Sequence, residues 1–142
     1  MNEEYEKFFN KCIAGLGVDR AQCRMKANYC QIRTAKGWVV HYEWWLARNK
    51  NLQVCLHFES NNPALNQGRY CACVALIGAL NGKIEKNSRV TDGDRGEKWF
   101  HITISRNLDF KDKDAVVWAV SMMRVLQKVF TKTVDDWQHG VM

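Results

Sequence analysis

The middle of the chain alternates between apolar and polar positions in a way that predicts strands. From Cys30 to Glu59, apolar side chains recur at every second residue, which is typical of strands with one buried face. β-branched and aromatic residues are also enriched there. A turn signal at Lys36 and Gly37 and a polar loop around residues 48–50 divide this stretch into three segments. The pattern therefore predicts a three-stranded antiparallel meander.

Helical spacing of apolar residues appears on both sides of this meander. The first helix is predicted from Asn2 to about Leu16, and the last from about Lys113 to Thr131. A middle helix is predicted over Tyr70–Leu80, downstream of a helix-start signal at Asn62 and Pro63. Residues 18–29 are ambiguous, with a second short helix as one interpretation. The last helix is apolar on most sides, which fits either a central core helix or a homodimer interface along Val116–Phe130.

A second β region follows the middle helix. It comprises a short strand around Arg89 and Val90, a loop through residues 92–96, and a longer strand over Lys98–Ser105. The sum of these elements predicts one α+β domain over residues 1–142. Its antiparallel sheet would be the meander plus a later strand or hairpin, packed on one face by the N-terminal, middle and long C-terminal helices.

Because side chains alternate across a strand, the residues of the two sheet faces can be separated by parity. The core face would carry Val40, Tyr42, Trp44, Leu46, Leu52, Val54, Leu56, Phe58, Phe100, Ile102 and Ile104. The opposite face would carry His41, Glu43, Trp45, Cys55, His57, Glu59, Trp99, His101 and Thr103. The first hairpin needs a loop of odd length for its apolar residues to meet. A three-residue loop places His41 opposite His57, whereas a five-residue loop places His41 near Glu59 and Glu43 near His57.

Three interpretations of the opposite face remain open. The first is a solvated sheet surface, the second is a binding face, and the third is a metal or catalytic site. A binding face would use its two tryptophans for stacking on bases or on a protein, with basic residues beside them. Its residues would be Arg33, His41, Glu43, Trp45, His57, Glu59, Lys98, Trp99 and His101. A metal would take nitrogen ligands from His41, His57 and His101, with Glu43 and Glu59 as oxygen ligands.

Composition narrows the class of partner rather than its identity. The net charge is +6 with a pI near 9.1, which favours an acidic partner, either nucleic acid or a protein. The N-terminus is acidic and mixed, and no apolar run reaches the roughly 18 residues of a membrane helix, so a cytoplasmic protein without a membrane partner is expected. Six cysteines without a C-x-x-C pair predict reduced, mostly buried thiols.

Catalytic motifs do not occur in the sequence. It has no G-x-S-x-G, no H-E-x-x-H and no G-x-x-x-x-G-K-[ST]. We therefore assign no catalytic residue and expect no cofactor.

From about His41 onward, the order of elements resembles an uncharacterised prokaryotic accessory domain that is often appended to restriction-endonuclease-like proteins. The resemblance lies in a strand over Val54–Glu59, a helix ending near Lys83–Lys86, a strand over Trp99–Ile104 and a tryptophan-bearing helix from Asp112 to Phe130. It covers roughly two thirds of the chain. It implies an accessory or binding role around nucleic acid or phage defence in bacteria or phage, and it supplies no catalytic residue.

The leading hypothesis is thus a non-catalytic binding module for nucleic acid or for a protein of a nucleic-acid or phage-defence system, as an inhibitor or accessory protein. One alternative is a small metal-dependent hydrolase or nuclease that uses the histidines and glutamates of the sheet. The other is a homodimeric interaction protein.

Overall fold

In the part of the chain that the structure describes, six antiparallel strands form one sheet in the order β1-β2-β3-β4-β6-β5, and three α-helices pack on one of its sides. The computed structural model describes residues 2–48 and 50–137. The strands are β1 (Cys23–Lys26), β2 (Tyr29–Thr34), β3 (Gly37–Ala47), β4 (Asn51–Phe58), β5 (Arg89–Arg95) and β6 (Trp99–Asn107). The helices are α1 (Glu3–Leu16), α2 (Pro63–Val74) and α3 (Ala115–Asp135). The predicted α+β fold, with its helices on one sheet face, is confirmed.

The predicted meander corresponds to β2, β3 and β4. Ala47 pairs with Asn51, so the β3–β4 hairpin has the three-residue loop, and His41 pairs with His57. This register brings Trp44 opposite Val54 and Leu46 opposite Leu52 on the helix side of the sheet, as the apolar pattern requires.

Several predicted elements differ in the structure. Residues 18–29 hold a short 3₁₀ turn (Arg20–Gln22) and the edge strand β1 instead of a second α-helix. The middle helix was predicted too late: α2 begins at Pro63, directly after its cap Asn62, and ends at Val74. Only a 3₁₀ turn (Ile77–Leu80) follows it, and residues 83–86 are not helical. The helix-start signal was therefore more informative than the apolar spacing. β5 extends to Arg95, through residues that were predicted as loop.

The core lies between the sheet and the helices. Trp44 is fully buried, and its indole Nε1 donates to the Ala119 carbonyl at 3.0 Å, which ties β3 to α3. The predicted core face of the sheet is buried, apart from the partly buried Phe100. In α3 most of the apolar side chains are buried within the chain, while Val117 is 63% exposed. α3 is thus a core helix, and the homodimer through Val116–Phe130 stays a prediction.

Local sequence explains the helix ends. The Asn2 side chain accepts hydrogen bonds from the first backbone amides of α1, and Asn62 accepts one from Leu65 at the start of α2. Gly17 ends α1 with a φ of 77°, a left-handed conformation that costs glycine little.

No helix in the described part of the chain is long and apolar enough to cross a membrane. All six cysteines are free thiols.

Candidate binding face and its polar cluster

The sheet side that carries no helix, which we call the helix-free face, collects the predicted site residues by register. Arg33, His41, His57 and His101 form one row across β2, β3, β4 and β6, since each is the pairing partner of the next. The next row along the strands contains Gln31, Glu43, Cys55 and Thr103. Neighbouring strands lie about 4.8 Å apart, so side chains within a row can contact each other.

Two histidines and two glutamates meet at the centre of this face, and we call them the His–Glu cluster: His41, His57, Glu43 and Glu59. His41 Nε2 lies 3.3 Å from His57 Nδ1 and 3.4 Å from Glu43 Oε1. His57 Nδ1 lies 3.2 Å from Glu59 Oε2 and 3.6 Å from Glu43 Oε1. His41, His57 and Glu43 are only 1%, 2% and 5% exposed. The centre of the face is therefore not a solvated surface.

The hydrogen-bond partners fix the proton positions on both imidazoles. His41 Nδ1 is 2.7 Å from the Trp38 carbonyl oxygen, which can only accept, so this nitrogen carries a proton. The lone pair of a neutral His41 is consequently on Nε2 and directed into the cluster. His57 Nε2 is 3.1 Å from Nη1 of Arg95, which can only donate, so the proton of a neutral His57 lies on Nδ1. In this state His57 Nδ1–H donates to the Nε2 lone pair of His41 at 3.3 Å, and Glu59 Oε2 lies 3.2 Å from the same His57 nitrogen.

Burial and neighbouring charges shift the pKa values of this region. Burial lowers the pKa of His57 well below its ordinary value, and the nearby His41, Arg95 and His101 lower it further. Burial likewise raises the pKa of Glu59, although His41 opposes this shift. The pKa of His101 is lowered by burial and by Arg95. A neutral imidazole at position 57 is thus the favoured form at neutral pH.

A cavity of about 320 Å³ opens over the cluster. Its floor includes His57, Glu43 and Glu59, and its walls include the two tryptophans Trp45 and Trp99. Residues from β2 through β6 contribute to its lining, so the helix-free face must be concave. The full lining is Asn28, Tyr29, Gln31, Glu43, Trp45, His57, Glu59, Arg95 and Trp99.

Arg95 and the tryptophans define the rim of this cavity. The Arg95 guanidinium carbon lies 4.5 Å from the ring centroid of Trp45, within the range of a cation–π contact. Trp99 is 43% exposed, which is unusual for so large an apolar side chain. The exposed Trp99 indole and the Arg95 guanidinium over the Trp45 ring therefore present their surfaces to whatever enters the cavity.

Basic residues occupy both edges of the helix-free face. By register, Arg24 and Lys26 of β1 lie on the same face as Gln31 and Tyr29 of β2. At the opposite edge, Arg89 and Arg95 of β5 share the face of Ser105 and Trp99. The aspartates of β5, Asp92 and Asp94, have the opposite parity, and Asp92 accepts a hydrogen bond from Tyr70 of α2 on the helix side. Alternation along the edge strands thus sorts positive charge onto the helix-free face.

The structure brings most of the predicted face together, with two differences. His101 is in the histidine row, but its Nδ1 is bonded to Thr103 Oγ1 at 2.7 Å and it does not join the His–Glu cluster. Lys98 is exposed in the turn between β5 and β6 and does not line the cavity. Arg33 belongs to the histidine row and is exposed. Its guanidinium carbon lies 6.0 Å from the ring centroid of Trp38.

Sequence reasoning missed Arg95, Gln31 and Arg24. Gln31 Nε2 donates to Glu43 Oε1 at 3.3 Å, and Arg24 Nε donates to Gln31 Oε1 at 2.5 Å. Alternation along β2 puts Gln31 on the same face as Arg33, so the sequence could have identified Gln31 as a residue of the helix-free face. Arg95 could not be found in this way, because its segment gave no strand signal.

Comparisons with known proteins add little. No protein-family model matches the chain, and no curated protein matches it in sequence. Among solved structures, the chain is similar to YbjN from E. coli, a proposed transcription regulator, at 8% identity and a TM-score of 0.38. That alignment covers 87% of this chain and 90% of YbjN. The resemblance to a restriction-associated accessory domain stays a prediction.

Proposed function

We propose that the protein is a non-catalytic binding module that takes single-stranded nucleic acid across its helix-free face. The observation that carries the proposal is the charge and ring pattern of that face. Arg24, Lys26 and Arg33 lie toward one edge and Arg89 and Arg95 toward the other, with Trp45 and Trp99 between them.

Each part of this pattern corresponds to a part of a nucleic-acid strand. Guanidinium and ammonium groups at the edges neutralise phosphates, and indoles stack on bases, which single strands expose and duplexes hide. The cavity, at about 320 Å³, lies in the size range of small-ligand sites and has room for one unstacked base. Antiparallel sheets with aromatic residues on an uncovered face are a recurrent platform for this type of recognition.

The two carboxylates at the centre do not oppose this function strongly. Glu43 is buried and accepts a hydrogen bond from Gln31, and Glu59 Oε2 lies 3.2 Å from His57 Nδ1. A phosphate chain that follows the basic edges passes the exposed arginines rather than these covered groups. The net charge of +6 adds a long-range attraction of the same sign.

The proposal is tested by fluorescence anisotropy with short labelled single- and double-stranded DNA and RNA, at low and near-physiological salt. We expect single strands to bind more tightly, with log Kd rising linearly with log salt concentration. Trp99→Ala should weaken binding by about 5- to 150-fold, the equivalent of about 1–3 kcal/mol per stacked base. Arg33→Ala should reduce the salt slope by about one phosphate contact, roughly 0.7.

Lys128→Ala is the matched control for Arg33→Ala. Lys128 is exposed on α3, away from the helix-free face, and its removal changes the net charge by the same amount. Equal losses in Lys128→Ala and Arg33→Ala would refute the assignment of the face. No binding of any oligonucleotide at low salt would refute nucleic-acid binding itself, and a protein partner would then be sought.

A further inference from the structure

The His–Glu cluster has the dimensions of a metal site. Zinc takes nitrogen and oxygen ligands at about 2.0–2.2 Å in tetrahedral geometry, so the ligands lie about 3.3–3.6 Å from each other. Four distances in the cluster, between the two imidazole nitrogens and from them to Glu43 Oε1 and Glu59 Oε2, are 3.2–3.6 Å. A fifth, from His41 Nε2 to Glu59 Oε1, is 4.0 Å. The candidate ligand atoms of His41, His57 and Glu59 all lie within 4.8 Å of one another.

From this geometry we propose that the protein binds one divalent transition-metal ion, of the zinc class, through His41 Nε2, His57 Nδ1 and the carboxylate of Glu59, with the Glu43 carboxylate beside the two histidine ligands. Two neutral imidazoles and two carboxylates match the ligand preference of this class and neutralise the ion's charge. The site does not depend on nucleic-acid binding, because all four side chains belong to β3, to β4 or to Glu59, the residue that directly follows β4.

The surroundings of His41 are those of a metal ligand. Metal-binding histidines usually donate their second ring N–H to a carbonyl or carboxylate, which fixes the ring and directs its lone pair at the ion. His41 does this, since its Nδ1–H donates to the Trp38 carbonyl at 2.7 Å. Gln31 plays the same supporting role for Glu43, whose Oε1 accepts its amide proton at 3.3 Å. His57, Glu43 and Glu59 also line the cavity, which gives an ion a path into the site.

Arg95 competes with the metal for His57. Coordination through Nδ1 requires that the proton of neutral His57 moves from Nδ1 to Nε2. Nε2 then donates and can no longer accept the bond from Arg95 Nη1, now 3.1 Å away. Arg95 must therefore give up its contact with His57 when the ion binds, whereas its contact with Trp45, 4.5 Å from the ring centroid, does not depend on the His57 proton. Arg95→Ala should consequently bind the metal more tightly than the wild type.

The test uses untagged full-length protein stripped with a chelator, in a Cys71→Ser background that removes the exposed thiol. Co²⁺ is the titrant, because a tetrahedral site gives it strong visible absorption, and Zn²⁺ is then added as the competitor. We expect one equivalent of Co²⁺ with that absorption and its displacement by Zn²⁺. Glu59→Gln, a near-isosteric change at a partly exposed residue, should weaken binding at least 10-fold.

His101→Ala is the matched control, because His101 pairs with His57 on the same face but lies outside the cluster. It should keep the stoichiometry and the spectrum, whereas His41→Ala should lose both. The proposal is overturned if the wild type binds less than one equivalent without tetrahedral absorption, or if Glu59→Gln and His41→Ala bind as the wild type does. Anisotropy titrations with chelator present separate this outcome from that of the nucleic-acid proposal, since they measure strand binding alone.

Discussion

Acidification should destabilise the protein through His57. The folded-state pKa of this ring lies well below its ordinary value of 6.5, because the ring is 2% exposed and lies near His41, Arg95 and His101. The unfolded chain, in contrast, protonates His57 near pH 6.5. The free energy of unfolding is thus unaffected by this group above that pH and falls as the pH drops below it.

The size of the effect follows from linkage alone. If the folded state takes up no proton at His57, lowering the pH from 7.5 to 5.5 stabilises the unfolded state by RT ln(11/1.1), about 1.4 kcal/mol. His101, whose pKa is also lowered, adds to this fall, whereas Glu59, whose pKa is raised, contributes in the opposite direction. A comparison with His57→Gln isolates the contribution of His57, since both proteins keep the other groups.

The assay is urea unfolding at pH 7.5, 6.5 and 5.5, with a chelator present so that bound metal adds nothing. Wild type should lose about 1.4 kcal/mol more than His57→Gln across this range. His101→Gln, on the same face, should retain the His57 contribution. An equal loss in wild type and His57→Gln, or a smaller loss in wild type, would refute the reasoning. It would mean that Glu59 and Glu43, at 3.2 and 3.6 Å, keep the ring protonated in the folded state.

Three predictions about packing and hydrogen bonding can be checked by the same urea titrations at neutral pH. Asn66→Ala should cost about 2–4 kcal/mol, because this buried amide makes three hydrogen bonds that join α2 to the backbone after β4 and before β6. Trp44→Phe should cost about 2 kcal/mol, since it loses the bond to Ala119 and leaves a small cavity. Gly15→Ala should not gain the roughly 1 kcal/mol that alanine brings to a helix interior, because its Cβ would lie 3.0 Å from Val120 Cγ2 and this tight contact offsets the gain.

Much of the candidate site could be predicted because alternation along a strand is a local property. The apolar residues of β3 and β4 specify which side chains share a face, so His41, Glu43, His57 and Glu59 could be grouped without a structure. The requirement that apolar residues meet also demanded an odd hairpin loop. It could not choose between three and five residues, since both satisfy the parity. The structure has three.

The weak points of the sequence prediction are edges and loops. β1 and the second half of β5 are short, polar edge segments, whose pairing with β2 and β6 supplies the stability that their own residues do not indicate. Without β5 the position of Arg95 was unknown, and with it the partner of His57 Nε2.

The sequence alone determined the two faces of the sheet, the cap that begins α2 and the excess of positive charge. Strand alternation and capping depend on residues a few positions apart, and net charge depends on composition only. Only the tertiary structure decided the strand order, the concavity of the helix-free face and the burial of its histidines. These depend on contacts between residues that lie far apart in the chain, such as Arg95 with Trp45 and His57. Such contacts close a polar sheet surface into a cavity, and no local pattern records them.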